Sequence, residues 1–154
     1  MGTNFYAIKQ LPNSIKGKIC ELIETDQYDE AKKLFDDNYE KIHIGKSSFG
    51  WKFIFDYNHF KYYDLNRKSI NDFLCRNDVK LYDEYGEQVS IDDFWKLVDS
   101  KKDGYDNISY YKDSDTLPFL LFEELIPEDL KEYNVEAYEF YSDDLRFAST
   151  TDFS

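Results

Sequence analysis

From Asn13-Ser14, just after Pro12, the apolar residues Ile15, Ile19, Leu22 and Ile23 recur at i, i+4, i+7 and i+8, one stripe of a short helix with an N-cap at its start. Asp26 is placed to cap a second helix whose apolar face is Tyr28, Ala31, Leu34 and Phe35. Together they predict a helical hairpin within residues 1–38. Tyr28 to Leu34 is similar to one tetratricopeptide helix, but no second copy follows at the period of such arrays, which excludes a solenoid.

Past Glu40 the period shortens to two. Lys41-Ile42-His43-Ile44, a Gly45-Lys46-Ser47-Ser48 turn region and Trp51 to Tyr57 predict a β-hairpin, with Trp51, Phe53, Phe55 and Tyr57 on one face of a central strand. A helix follows around Ser69 with Ile70, Phe73 and Leu74 inward. Next come a strand at Val79 to Tyr82, a turn at Asp83-Glu84-Tyr85-Gly86 and a short return at Glu87 to Val89. Ser90-Ile91-Asp92-Asp93 resembles a capping box for a helix carrying Ile91, Phe94, Trp95 and Val98 on one stripe.

Residues 99–116 are polar and contain Gly104, the longest expected loop. Leu117 to Ile126 is apolar, and Pro127-Glu128-Asp129-Leu130 reads as the first turn of a short helix. A terminal hairpin is expected from Val135–Tyr141 and Leu145–Phe153 around Ser142-Asp143-Asp144. The fold class is α+β: a single domain over 1–154, with an antiparallel sheet of a central aromatic hairpin and a C-terminal hairpin, packed with four or five short helices. Residues 1–38 form its helical hairpin, 40–102 a strand-helix core and 103–154 an acidic C-terminal part.

Composition supports one folded unit. At 154 residues the chain has the size of one domain, and 42% hydrophobic and 19% aromatic residues exceed what a disordered chain of this charge carries. No run of 18 apolar residues and no signal-peptide pattern occurs, so a soluble protein of the cytoplasm is expected. Cys20 and Cys75 are too few for a disulfide framework and are expected as small buried hydrophobes. Positive residues are mostly lysine, 16 against 3 arginines, which points to AT-rich coding rather than to bidentate recognition of anions.

Candidate chemistry is sparse. Gly45-Lys46-Ser47 lacks the glycine that a phosphate-binding loop needs five positions earlier, since residue 40 is Glu, and it joins strands rather than opening a helix. His43 and His59 have no Cys or His ligand at short spacing, so no metal site is expected and His43 reads as a structural or surface residue. No Gly-x-Ser-x-Gly elbow or Cys-His signature occurs. Paired carboxylates are abundant in a chain with 32 acids and therefore mark no catalytic pair. The reading is a protein with no catalytic residues, no cofactor and no metal.

Charge carries more information. Residues 1–102 hold 18 acids and 16 bases, whereas 103–154 hold 14 acids and 3 bases, so a net of −2 faces a net of −11. The acidic third contains Asp103, Asp106, Asp113, Asp115, Glu123, Glu124, Glu128, Asp129, Glu136, Glu139, Asp143 and Asp144, interleaved with tyrosines that include Tyr110, Tyr111 and Tyr138. Carboxylates with tyrosines suit a Lys/Arg-lined groove, because the acids replace phosphates and the rings add contact area at low entropic cost. These residues form the candidate partner-binding surface. Direct binding to a phosphate backbone is not expected of so acidic a chain.

Met1-Gly2-Thr3-Asn4-Phe5-Tyr6, with His43-Ile44-Gly45-Lys46-Ser47-Ser48-Phe49-Gly50-Trp51, resembles a group of small, mostly uncharacterised bacteriophage and prophage proteins that share this opening and hairpin. The likeness extends in patches through Asp83 to Gly86 with the helix after it, and to the ending from Arg146-Phe147 through Asp152-Phe153-Ser154. A Cys-x-x-Cys knuckle found before the hairpin in many of them is replaced here by the helical hairpin, so no zinc role carries over. The resemblance implies a phage context and no reaction. Phage genomes carry small acidic proteins that disable host defence, anti-CRISPR proteins among them. Joined to the charge asymmetry, this setting leads to the expectation of a non-enzymatic inhibitor that blocks the basic nucleic-acid channel of a host protein, with a CRISPR effector nuclease as first candidate. A phage structural or assembly protein and a small metal-dependent hydrolase are the alternatives.

Overall fold

The computed structural model describes residues 2–106 and 138–149. In chain order these form β1 (Gly2–Lys9), α1 (Asn13–Glu24), α2 (Tyr28–Asn38), β2 (Glu40–Ser48), β3 (Ile54–Asp56), α3 (Tyr57–Phe60), α4 (Arg67–Leu74), β4 (Val79–Asp83), α5 (Ile91–Ser100), β5 (Tyr138–Ser142) and β6 (Leu145–Ser149). One six-stranded sheet has the order β4-β1-β2-β3-β6-β5. The class is α+β, as expected.

The sheet is not wholly antiparallel. β3 and β6 pair in parallel, Phe55 opposite Phe147, with α3, α4, β4, α5 and β5 between them in the chain, since a parallel pair cannot be joined by a short hairpin. β1, to which the sequence pattern assigned no element, lies between β4 and β2. Its alternation is hard to read because the polar positions Asn4 and Lys9 flank a short apolar run. Phe5 and Ala7 face the core and Asn4 and Tyr6 face away.

Packing against one sheet face explains the core. Phe94 of α5 meets Phe5, Phe53 and Phe55 at ring-centroid distances of 5.8, 5.3 and 6.1 Å, all edge-on, and Phe147 tilts against Phe55 at 5.5 Å. Ile70, Phe73 and Leu74 of α4 are buried, as the pattern predicts. Ser90 caps α5 by accepting a hydrogen bond from the Asp93 N–H at 3.1 Å. Each fully buried ring contributes about 2–3 kcal/mol.

Several local expectations are corrected. Gly45-Lys46-Ser47-Ser48 is not a turn but the end of β2, and the chain reverses at Phe49-Gly50. Glycine is required at 45 because a Cβ there would sit 2.2 Å from the Ile54 carbonyl oxygen, where β2 and β3 approach closely. β3 is shorter than expected: Trp51 forms only an isolated bridge and is exposed, and Tyr57, though buried, opens α3. The return at 87–89 is reduced to one bridge, Gln88 opposite Tyr82. α1 starts after Pro12 without a side-chain cap, and α2 is preceded by Gln27, while Asp26 takes a left-handed φ of 60° and accepts a hydrogen bond from the Tyr28 hydroxyl.

The helical hairpin forms, but outside the main core. Leu22 and Ala31 are buried, whereas Ile23, Tyr28 and Phe35, expected to face inward, are exposed. Cys20 and Cys75 are exposed as well, contrary to expectation, because they fall on the outer faces of α1 and of the α4 terminus. The expected apolar run at 117–126 and the helix at Pro127 lie outside the described residues. The terminal hairpin is present and tighter, turning at Asp143-Asp144.

Candidate functional site

The C-terminal hairpin is bound to the sheet by a lattice of charges. In β6, Leu145 and Phe147 point to the core, which turns Arg146 to the opposite face. There Arg146 grips Glu139 of β5 through two hydrogen bonds of 3.1 and 2.8 Å and donates a third, at 2.8 Å, to the Lys52 carbonyl. Its guanidinium also lies over the Trp51 ring, 5.5 Å from the centroid.

Beside it, the Lys52 ammonium donates to the Tyr141 hydroxyl, which in turn donates to the Asp106 carboxylate, and Lys52 and Asp106 form an ion pair at 3.2 Å. The hydrogen bond to Tyr141, with a further one to Asp106, holds the Lys52 ammonium above its ordinary value against the opposing effect of burial. Burial, reinforced by Asp106, raises the Tyr141 hydroxyl. Both groups are therefore fixed in their protonated forms at neutral pH.

At the other end of the hairpin, Asp143 adopts a left-handed φ of 56° and its carboxylate accepts the Arg67 N–H at 2.9 Å, on the first turn of α4. The Arg67 side chain reaches Asp144 at 2.9 Å and Asp99 at 2.8 Å and stacks over Trp95 at 4.7 Å. Burial works against its charge, but the bonds to Asp144 and Asp99 prevail and raise it, and the bond from Arg67 lowers Asp144. Lys52, Arg67, Tyr141, Asp144 and Arg146, with Lys101 and Lys102, border a small pocket of about 90 Å³ whose lining sets five cations against the two carboxylates Asp99 and Asp144.

Of the candidate partner-binding residues, Asp106, Glu139, Asp143 and Asp144 are engaged within the fold by Lys52, Tyr141, Arg146 and Arg67. Asp103 is exposed. Tyr138 places its backbone in β5 opposite Ser149. Asp113, Asp115, Glu123, Glu124, Glu128, Asp129, Glu136, Tyr110 and Tyr111 lie outside the described residues. The structure thus brings together four of the candidates, in structural roles, through cations that the sequence reading did not single out. A signal was present: all three arginines, scarce among many lysines, hold carboxylates, Arg76 doing so on Asp78 at 3.0 and 2.8 Å.

The consequence concerns residues 107–137, which carry 8 acids and 2 bases. The chain enters this segment at Asp106 and leaves it into β5, and Asp106 is bonded to Tyr141 of β5. The bond thus joins the residue that precedes the segment to a residue of the strand that follows it.

The histidines are structural. His43 links three strands, Nδ1 to Asp56 at 2.9 Å and Nε2 to the Asn4 side-chain oxygen at 2.9 Å. His59 packs among Phe60, Tyr63 and Phe73 with Nε2 buried and without a hydrogen-bond partner among the described residues, and burial lowers its pKa. Among the described residues, no group of three or more His, Cys, Asp or Glu is placed to hold a metal ion, and no helix is long and apolar enough to cross a membrane. Comparison with protein-family models, with curated proteins and with solved structures gives no match.

Proposed function

We propose that this chain is a phage-encoded, non-enzymatic inhibitor acting in the host cytoplasm, which blocks the basic nucleic-acid channel of a host defence protein. The observation that carries this reading is the acidic segment 107–137, net −6 by sequence, between Asp106 and β5, which the Lys52–Tyr141–Asp106 bonds tie together. Pinned ends reduce the entropy lost when a segment is ordered on a partner, relative to a free tail. The acids at its base are matched by Lys52, Arg67 and Arg146, so the charge available to a partner is concentrated in the segment itself.

A CRISPR effector nuclease is the first target to try, since its guide and target channels are lined by Lys and Arg. Carboxylates spaced along a tyrosine-bearing segment satisfy such a channel as phosphates do, and the encounter is accelerated by charge complementarity and screened by salt. The test is a pull-down with the tagged chain from lysates of a phage host, washed first at low and then at high salt. Recovery of a basic nucleic-acid-binding protein that elutes with salt supports the reading, and recovery of the chain alone contradicts it.

A further inference from the structure

Two of the three arginines, Arg67 and Arg146, and the lysines Lys52, Lys101 and Lys102 line one small pocket, where the start of α4, the end of α5 and the C-terminal hairpin meet. A chain of net charge −13 thus gathers five cations around a cavity that has only Asp99 and Asp144 as lining acids. From this we infer that the pocket is a binding site for a single phosphate group, free or carried by a small molecule, with Lys101 and Lys102 as its unmatched cations.

Three of the five cations are matched by acids and two are not. Lys52 pairs with Asp106 at 3.2 Å, Arg146 with Glu139 at 2.8 Å, and Arg67 with Asp99 and Asp144 at 2.8 and 2.9 Å. Lys101, by contrast, donates to the neutral Ser48 carbonyl at 3.3 Å, and Lys102 makes no hydrogen bond or ion pair among the described residues. Five cations therefore meet four carboxylates, and the excess lies with the two lysines that follow α5. Arg67 also keeps donors in reserve: Nη2 serves both carboxylates, while Nε and Nη1 have no partner among the described residues. A planar guanidinium with spare donors matches phosphate oxygens in geometry as well as in charge.

Size and stiffness point the same way. At about 90 Å³ the cavity has room for several waters, and so for one tetrahedral oxyanion. Its guanidinium groups are held before any ligand arrives, Arg67 over the Trp95 ring at 4.7 Å and Arg146 over the Trp51 ring at 5.5 Å, with Arg146 bonded to Glu139 and to the Lys52 carbonyl as well. Groups already fixed lose little freedom on binding. The attraction is largely one of charge, so added salt weakens it. This inference stands apart from the inhibitor reading, since it calls on no residue of 107–137.

Both tryptophans of the chain lie on arginines of the pocket, so intrinsic fluorescence reads it directly. Titration of the full chain with sodium phosphate at neutral pH, against sodium chloride at matched ionic strength, is expected to give a saturable fluorescence change and a rise in Tm that chloride does not give. Lys101→Gln/Lys102→Glu is expected to weaken binding by about tenfold or more with circular dichroism unchanged, because Lys102 is exposed and Lys101 makes a single hydrogen bond. Lys16→Glu/Lys18→Glu, a larger loss of positive charge in α1, which contributes nothing to the lining, is expected to bind as the wild type does. Adenosine monophosphate titrated in parallel separates the sources: binding about tenfold tighter than that of phosphate assigns the group to a nucleotide, equal or weaker binding assigns it to the free ion, and both support the site. The absence of a saturable change with either ligand overturns the inference. So does wild-type binding in the Lys101/Lys102 variant, or an equal loss in the α1 variant.

Discussion

Arg146 and Glu139 form a two-pronged ion pair diagonally across β5 and β6, on side chains only 6% and 13% exposed, and the same guanidinium holds the Lys52 carbonyl ahead of β3. A charge this well buried is costly to leave alone. Arg146→Met is therefore expected to destabilise the fold by about 3 kcal/mol or more, whereas Arg146→Met/Glu139→Leu recovers much of the loss, because the second change removes the stranded carboxylate. Urea unfolding of the two single variants and the double variant measures the coupling.

His59 makes stability depend on pH near neutrality. Burial lowers its pKa in the folded chain below the ordinary 6.5, so on acidification the unfolded chain takes up the proton first. The stability it permits is full above pH 6.5 and is lost as pH falls through the folded-state pKa. Its Nε2, buried without a partner among the described residues, adds a cost of about 1 kcal/mol in the neutral form. His59→Phe should stabilise the protein at neutral pH and flatten the decline between pH 6.5 and lower values, read from Tm against pH.

At alkaline pH the sensitive groups are Lys52 and Tyr141, both raised above their ordinary 10.5 and 10.0. Above pH 10 the unfolded chain releases these protons before the folded one, so the contribution they make at neutral pH is lost as pH rises. Tyr141→Phe removes the acceptor of Lys52 and the donor to Asp106. It should cost about 1–3 kcal/mol at neutral pH and reduce the alkaline slope. Asp144 acts at the other limit: lowered by Arg67, its contribution is lost only as pH falls below its ordinary 3.8.

Two glycines separate close approach from open space. Gly45→Ala would drive a methyl against the Ile54 carbonyl and the Phe53 ring and is expected to destabilise by about 2 kcal/mol or more. Gly17→Ala, in the middle of α1 with nothing within 4 Å, should stabilise by about 0.5–1 kcal/mol. Thermal unfolding of both variants decides the pair.

The helices and the aromatic strands were legible in the sequence because their periods are strong: Phe94 and Val98, Ile70 and Phe73, and Phe53 and Phe55 all face inward as their spacing requires. β1 and the parallel β3–β6 pairing were not legible, since pairing across a long crossover leaves no local pattern. Gly45-Lys46-Ser47 reads as a turn by composition, yet its glycine serves a close approach between strands. Exposed Ile23, Tyr28 and Phe35 show that a helical stripe reveals an apolar face but not whether anything covers it. At the charged site, the acids were visible as an excess, while their internal partners Lys52, Arg67 and Arg146 became apparent only once the terminal hairpin was seen against α4 and β3.

The most direct test of the inhibitor reading is a target-cleavage assay with a panel of CRISPR effector nucleases, comparing the wild type with Glu123→Gln/Glu124→Gln/Glu128→Gln/Asp129→Asn. The four residues belong to the acidic segment 107–137 and to none of the ion pairs described above. The account predicts that the wild type inhibits at least one nuclease, that the quadruple variant loses at least tenfold in potency, and that raising the salt narrows the gap between them. Equal potency of the two proteins, or no inhibition of any nuclease in the panel, would contradict it.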